Sequence, residues 1–354
     1  MALASLTAAL PRVGRILLHA CRAEGAVAAW DKTDGIVFCG KRSGRLLRER
    51  RACGAESFLA VDGERYLKRD SGQLDLFDPA VQAAQDQALL RTSMYLAPSW
   101  RLGPAIESLR AVLEAGERFL DAVDQQDHRA PGYVPVVVSA RWRGALLDDM
   151  CAELWSSGIP VAFLFAGGVD PLSTRREVAA AVKLISAAPS SIVLRCDLSA
   201  IGLVSFGAQL GSIGATSAMR HVFVPMPNSR NGARDMSAPV LVPSLRAWVR
   251  GSKLNHIDGP ADLFRCACRV CDGRSVLRFR ESGALDDLIR DEAEAHDVLA
   301  WREIADRVLG DDQANPRKAW LDECDAGLES YRILREHGIG LTPRGYLSAW
   351  SSLS

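Results

Sequence analysis

The sequence predicts an α/β fold, a closed (β/α)8 barrel of the TIM type over residues 1–255 with a smaller helical subdomain over residues 256–354. Three observations predict it. Continuous apolar runs of strand length alternate with helix-length stretches across the middle of the chain, the pattern of a parallel sheet covered on both faces. The number of these units favours a closed barrel over an open doubly wound sheet. A length of 354 residues also accommodates one barrel of about 250 residues plus an appendage.

Taken in order, residues 1–20 are apolar but interrupted by Pro11, Arg12 and Arg15. That is not the layout of a secretory signal, so the segment is read as folded protein. Residues 25–30, 35–39, 57–61 and 64–67 read as strands, the last two flanking an Asp62-Gly63 turn. Residues 80–93 and 104–123 carry helical periodicity. Residues 134–139 (Val-Pro-Val-Val-Val-Ser), 159–166 and 191–196 are expected as buried strands, with helices over 144–157, 173–186 and 199–210. Ser173-Thr174 offers a cap for the second of these helices. Residues 212–217 are expected as the last barrel strand. Residues 222–260 are rich in Pro, Asn, Gly and Ser and read as loop, with one short helix at 245–249. Helices over 285–309 and 317–337 complete the chain.

Composition is that of an ordinary soluble protein, 48% hydrophobic and 24% charged, with 43 Lys+Arg against 43 Asp+Glu. Zero net charge gives no bulk attraction to nucleic acid, so any such contact must come from local basic patches. No apolar run reaches the roughly 18 residues that span a bilayer. Nine cysteines, an odd number with three clustered, point to a reducing compartment rather than a disulfide framework, and to the cytoplasm.

The clustered cysteines are Cys266, Cys268 and Cys271, a CxCxxC pattern, and His296 follows 25 residues after the last of them. Three thiolates and an imidazole are the inventory of a closed tetrahedral zinc site, which holds together a segment too poor in apolar residues to fold by itself. His296 sits at the head of an apolar-periodic stretch and is the preferred fourth ligand; His256, ten residues before Cys266, is the alternative. The bland alternative for the three thiols is ordinary buried cysteine.

The chain resembles the zinc-dependent tRNA-guanine transglycosylases and their relatives that modify DNA. The resemblance rests on Cys266, Cys268, Cys271 and His296 in matching order, on His296-Asp297-Val298-Leu299 as the start of a terminal helix, and on Asp70-Ser71-Gly72-Gln73 as a shortened DSGGFQ-type motif. It covers roughly residues 55–310, strong at the cysteine end and weak between. What it implies is a pentosyltransferase that exchanges guanine in a nucleic acid for a 7-deazaguanine base. One ionised carboxylate attacks the anomeric carbon while another moves the proton of the purine nitrogen.

Asp70 matches the family position for proton transfer, with Ser71, Gly72 and Gln73 beside the substrate. The family's nucleophile stretch near the last barrel strand has no carboxylate here, where residues 211–221 read Gly-Ser-Ile-Gly-Ala-Thr-Ser-Ala-Met-Arg-His. Asp197, directly after the strand at 191–196, is the carboxylate expected on the reactive face of a barrel and is taken as the nucleophile. Both aspartates have a structural alternative, capping the helix or turn that follows. Gly167 and Gly168 weakly resemble the family's glycine-rich recognition loop, where a purine lies close to the backbone; a plain turn is the alternative. Arg220 and His221 are candidates for holding a phosphate, or for pairing with a nearby acid.

Arg269, Arg274 and Arg278, with Arg265 and Arg280, crowd the cysteine segment and are the expected nucleic-acid contacts, the alternative being a solvated face balanced by acids. The departures from the tRNA enzymes favour DNA slightly over tRNA, and flipping out a duplex guanine then needs either modification-system partner proteins or an unstacking wedge. Two other readings stand beside the enzyme. One is a non-catalytic zinc-containing nucleic-acid-binding relative or regulatory partner; the other is an unrelated barrel enzyme with a structural zinc appendage.

Overall fold

The computed structural model describes residues 16–21, 24–30, 35–54, 57–67, 79–126, 130–167, 170–223, 237–281 and 287–353. Strands β1 (Ile16–Ala20), β2 (Ile36–Cys39), β3 (Leu59–Asp62), β4 (Tyr95–Leu96), β5 (Gly132–Val138), β6 (Val161–Gly167), β7 (Ile192–Cys196) and β8 (Leu210–Gly214) lie in one sheet. Its order is β3-β2-β1-β8-β7-β6-β5-β4 with every pair parallel, so β1 meets β8 and the sheet curls into a nearly closed barrel of eight strands. The seam runs between β3 and β4. Ser93 bridges it, its N–H donating to Leu59 O (2.7 Å) and its Oγ accepting from Leu59 N–H (3.0 Å).

Helices α1 (Glu24–Ala29), α2 (Ser43–Ala52), α3 (Pro79–Leu89), α4 (Ile106–Asp124), α5 (Leu147–Ser157), α6 (Arg175–Ala187) and α7 (Ser199–Ser205) connect successive strands. The cap foreseen for α6 forms as a capping box: Thr174 Oγ1 accepts from Glu177 N–H (3.3 Å) and Glu177 accepts from Thr174 N–H (3.2 Å). Side chains alternate along each strand. Leu17, Val37, Ala60, Leu96, Val137, Leu164, Leu194 and Leu210 fill the inside, while Leu18, Phe38, Val136, Phe163 and Ile213 face the helices.

The regular barrel breaks at β7. Its pairing with β8 shifts between Val193 and Cys196, a bulge of one extra residue, and Arg195 within it has a φ of 55°. Beyond the bulge, β6 no longer pairs with β7. The short strand β9 (Val222–Phe223) takes its place, Val222 opposite Ala166 and Phe223 opposite Gly167. Val222 is fully buried against the inner core, so β9 closes part of the carboxyl end of the barrel.

After β9 comes an antiparallel hairpin, β10 (Pro239–Val242) with β11 (Ala247–Arg250), then α8 (Gly251–Leu254), α9 (Asp287–Leu309), α10 (Pro316–Glu336) and α11 (Gly345–Ser351). Helix α9 lies against α1, α7 and β1, over the β8–β1 edge. Gly25 allows that approach, since a Cβ there would fall 2.1 Å from the carbonyl oxygen of Asp291. Helices α10 and α11 cover α7 through Trp320 and Trp350, whose rings meet edge to face at 5.9 Å. Among the described residues no helix is long and apolar enough to cross a membrane.

Three expectations are corrected. Residues 25–30 form α1 instead of a strand, because Ala26, Ala28 and Ala29 favour helix and the stretch packs on α9. Residues 64–67 make a 3-10 turn, not a strand: Asp62 Oδ1 accepts Glu64 N–H at 2.9 Å and turns the chain. The helix at 245–249 is instead a turn started by Pro243, followed by β11, with Arg246 at φ 50° separating the two. Strand β1, helix α2 and the β10–β11 hairpin were not foreseen.

A Cβ at position 202 would lie 2.4 Å from Trp320 Nε1 and 2.8 Å from Trp350 Cζ2. Gly202→Val is therefore expected to cost about 1–3 kcal/mol by overpacking, read as a lowered urea midpoint, whereas Ala326→Val in α10 serves as a control that leaves this contact untouched.

Candidate metal centre and barrel mouth

The cysteine segment folds as a tight knuckle. Cys266 O accepts Gly273 N–H (2.9 Å), Cys268 O accepts both Cys271 N–H (2.9 Å) and Asp272 N–H (2.8 Å), and Cys266 N–H reaches Arg274 O (3.2 Å). Asp272 and Gly273 have φ of 50° and 75°, the left-handed pair that lets the chain double back. These bonds aim the three sulfurs at one point. His296 completes the set from α9, where it is a mid-helix residue and not the opening one: Nδ1 lies 3.2 Å from Cys271 Sγ and 3.5 Å from Cys268 Sγ.

All four side chains are buried and their ligand atoms lie within 4.8 Å of one another, the one such group among the described residues. Its chemistry fits a metal ion. Three thiols and an imidazole brought this close, with few other polar groups among them, are a donor set of the tetrahedral kind. His256 is exposed and stands outside the cluster.

The surrounding shell fixes the imidazole. His296 Nε2 donates to Leu241 O (2.7 Å) on β10, which leaves Nδ1 with its lone pair toward the sulfurs. The next residue, Asp297, accepts from Leu241 N–H (2.6 Å), from Trp248 Nε1 (2.8 Å) and from Arg220 Nη2 (3.5 Å). Arg220 stacks over the Trp248 ring at 3.6 Å and donates to Gly214 O (3.2 Å) and Ala215 O (3.4 Å) at the end of β8. A chain of contacts thus joins His296, the hairpin and the last barrel strand.

The expected site residues fall in several places. Asp70, Ser71, Gly72, Gln73 and Gly168 lie outside the described residues. Gly167 ends β6 beside Phe223. Asp197 follows β7 and is half-buried, its Oδ1 accepting Ser199 N–H (2.8 Å) at the start of α7. His221 is half-buried near Asp197 and pushed below its usual value by burial. Arg220 is buried, with its guanidinium spent as described. Arg269 is exposed and donates to Ala29 O of α1. Arg274 donates to Cys271 O (2.8 Å) and Val270 O (2.7 Å), and Arg278 pairs with Glu292 (2.6 Å), so both brace the knuckle.

Sequence reading missed two groups at the carboxyl end of the barrel. Asp170, after β6, lies near Asp197; burial first, and the Asp197 charge second, push it up to about 7. The other group is inside the barrel, where His19 Nδ1 meets Ser212 Oγ (3.2 Å) and its Nε2 faces Asp62 Oδ2 (3.4 Å). Tyr66 donates to Asp62, and Arg195 pairs with Glu64. His19, Asp62, Arg195 and Ser212 are all buried. A histidine within Ile-Leu-Leu-His-Ala was the available signal, since an inward-facing polar residue in a barrel strand needs a partner.

No protein-family model matches this chain, and no curated protein matches it either.

Asn in place of Asp297 leaves Arg220 buried without its countercharge, and a stability loss of about 3–5 kcal/mol is expected in urea unfolding. The pH dependence is also defined. With its folded value raised from 3.8 to about 7, Asp170 binds its proton more tightly in the native state, so it stabilises at low pH and that contribution is lost as pH rises from about 4 to about 7. Glu294, raised from 4.5 to about 7 chiefly by burial, works the same way. Asp170→Asn should therefore flatten part of the fall in urea midpoint between pH 4.5 and 7.5; an unchanged slope refutes the assignment.

Proposed function

We propose that this chain is a (β/α)8 barrel enzyme of the TIM type, carrying a structural zinc ion, that exchanges guanine in a nucleic acid for a 7-deazaguanine base. The buried group formed by Cys266, Cys268, Cys271 and His296, tied to the end of β8 through Asp297 and Arg220, is the observation that carries the reading. A tetrahedral zinc with bonds of about 2.3 Å to sulfur and about 2.0–2.1 Å to nitrogen brings sulfur and nitrogen to roughly 3.5 Å, close to the two sulfur–nitrogen separations here. Four protein ligands leave the ion no open position, so its contribution is to hold the segment folded.

Two carboxylates at neighbouring strand ends support the chemistry. Asp197 takes the nucleophile role: its carboxylate attacks the anomeric carbon, the bond to guanine breaks, and the departing nitrogen takes a proton. The incoming base loses its own proton as its nitrogen displaces the carboxylate, restoring Asp197. The resemblance gives proton transfer to Asp70. Among the described residues Asp170 has the environment for that task, since a carboxyl group raised to about 7 both gives and takes a proton near neutral pH. DNA is slightly favoured over tRNA as substrate, with modification-system proteins opening the duplex. A reducing cytoplasm, expected from the odd and clustered cysteines, suits a thiolate-bound zinc.

A second reading is favoured by the hydrogen bond that Asp197 already makes to Ser199 N–H and by β8 ending at Gly214 without a carboxylate. It is a non-catalytic zinc protein that binds nucleic acid or assists an active transglycosylase. Labelled guanine, incubated with the protein and separately with tRNA and DNA, distinguishes the two. The enzyme retains label in one polymer, and Asp197→Asn lowers the rate by roughly 1,000-fold or more. Salt-sensitive polymer binding with no incorporation supports the second reading. Metal analysis is expected to find one zinc per chain in the wild type and its loss in Cys271→Ser; metal-free, fully folded protein sinks both.

A further inference from the structure

Helix α2 carries a one-signed pattern of charge. Residues 41–52 hold six cations, Lys41, Arg42, Arg45, Arg48, Arg50 and Arg51, against a single acid, Glu49, in a chain of zero net charge. Two of the six serve the fold: Arg50 donates to Val27 O (3.3 Å) and Trp30 O (2.8 Å), and Arg51 donates to Arg91 O. The other four are exposed. Arg45 pairs with Glu49 one turn on (2.6 Å), whereas Lys41, Arg42 and Arg48 form no ion pair among the described residues. Glu24 of α1 lines the same hollow as Arg42 without pairing with it.

Stability of the helix does not call for this pattern. Arg42, Arg45 and Arg48 recur every three residues, a spacing at which like charges on one flank of a helix repel. The first turn holds no acid, so Lys41 and Arg42 add positive charge at the end of the helix dipole that is already positive. A face built only to be solvated mixes its signs, and α10 does so. There Lys318 pairs with Asp322 (2.6 Å), and Arg332 pairs with both Glu329 and Glu336.

Position and chemistry select the partner. Helix α2 follows β2, so its first turn stands at the carboxyl end of the barrel, the end that also carries Asp170 and Asp197. From Lys41 to Arg48 the cations extend about 10 Å, and a duplex places a phosphate about every 3.4 Å along each strand, so the row faces roughly three phosphates. A lipid surface suits the helix poorly. Both of its leucines turn inward, Leu47 buried and Leu46 half-buried on the core, which leaves no large apolar side chain to enter a bilayer. In the cysteine segment, by contrast, Arg274 and Arg278 are already held by backbone carbonyls and Glu292.

We propose that the outer face of α2, through Lys41, Arg42, Arg45 and Arg48, is the surface on which the sugar–phosphate backbone of duplex DNA lies beside the barrel mouth. The inference rests on the nucleic-acid reading above and deepens it by naming the docking face. Phosphate contacts fix the position of a polymer and carry no base preference, so binding through α2 is independent of sequence and weakens steeply as salt rises. Asp170, Asp197 and the Cys3His cluster take no part in it.

Fluorescence anisotropy of a labelled duplex of arbitrary sequence, about two helical turns long and titrated at salt from about 50 to 200 mM, tests it. The triple variant Lys41→Gln, Arg42→Gln, Arg48→Gln is expected to bind about tenfold or more weakly at low salt. Its slope of log affinity against log salt should be shallower by about 2–3, from about 0.9 per lost phosphate contact. Removing three charges from α10 by Lys318→Gln, Arg332→Gln and Arg335→Gln should leave affinity and slope unchanged, which separates a docking face from net charge. Arg48→Gln alone should lower the slope by about one and decides the matter should the triple variant fail to fold. A wild type without salt-sensitive duplex binding, equal slopes in wild type and α2 variants, or an equal loss in the α10 variant overturns the proposal. So does capture of phosphatidylserine vesicles or polyglutamate that the triple variant abolishes while duplex binding persists, since α2 is then a membrane or acidic-protein contact. Base exchange is not read: duplex binding through α2 without guanine incorporation refutes the transglycosylase reading and leaves the docking face standing.

Discussion

A carboxylate sealed away from water must find its hydrogen-bond donors within the protein, and Asp297 finds them in three different parts of the chain. Leu241 belongs to the hairpin, Trp248 to its second strand, and Arg220 to the segment leaving β8. Burial pushes Asp297 up and Arg220 down to about 10, so each partner leans toward its neutral form. The pair is therefore a poor source of net stability. Its geometry is what counts: α9, the hairpin and the barrel stand so that all of these groups are satisfied at once. His296, one residue earlier on α9, inherits that orientation and presents Nδ1 to the thiols. The Cys3His cluster and the barrel are held in register by a group that is not itself part of the cluster.

The departure of β7 from regular pairing has a comparable effect at the other end of the site. One extra residue turns Arg195 inward and frees the upper part of β6, which β9 then joins. Val222 fills space that an open mouth leaves to solvent, while Arg101, donating to both Tyr66 O (3.3 Å) and Phe223 O (3.2 Å), ties β9 to the turn after β3. The polar group of His19, Asp62, Ser212 and Arg195 consequently lies beneath a partial cover. Charges under such a cover interact through a low dielectric, which strengthens each pairing and raises the cost of each missing one.

Legibility in the sequence followed the strength of the local signal. Strands β5, β6 and β7 were readable because each is an apolar run bounded by turn residues, and α4 and α10 because helical periodicity persists over five turns or more. The Cys3His cluster was readable because close spacing of three thiols has few uses other than to bring them together. Strand β1 was obscured by lying in a generally apolar N-terminal stretch, and α1 by a valine and a glycine in only six residues. Arg246, at a positive φ between a turn and β11, could not be anticipated, since nothing local favours that conformation in arginine. The inner polar group was hidden for a different reason. His19, Asp62 and Ser212 are far apart in sequence, and only closure of the β8–β1 edge brings them together.

Burial alone does not decide how a carboxylate behaves. Asp62 and Asp170 are both shielded from solvent, yet their surroundings move them in opposite directions. Asp62 is pulled down: burial opposes its charge, but hydrogen bonds from His19, Tyr66 and the Glu64 backbone outweigh it. Among the described residues Asp170 receives only Leu172 N–H (2.9 Å) and lies near another acid, so burial prevails. A carboxylate with several donors is a fixed charge that orients its neighbours; one with few donors and a like charge beside it exchanges its proton. On that physical ground the interior group orients its neighbours, while Asp170, after β6, is the carboxyl group whose proton comes and goes near neutral pH.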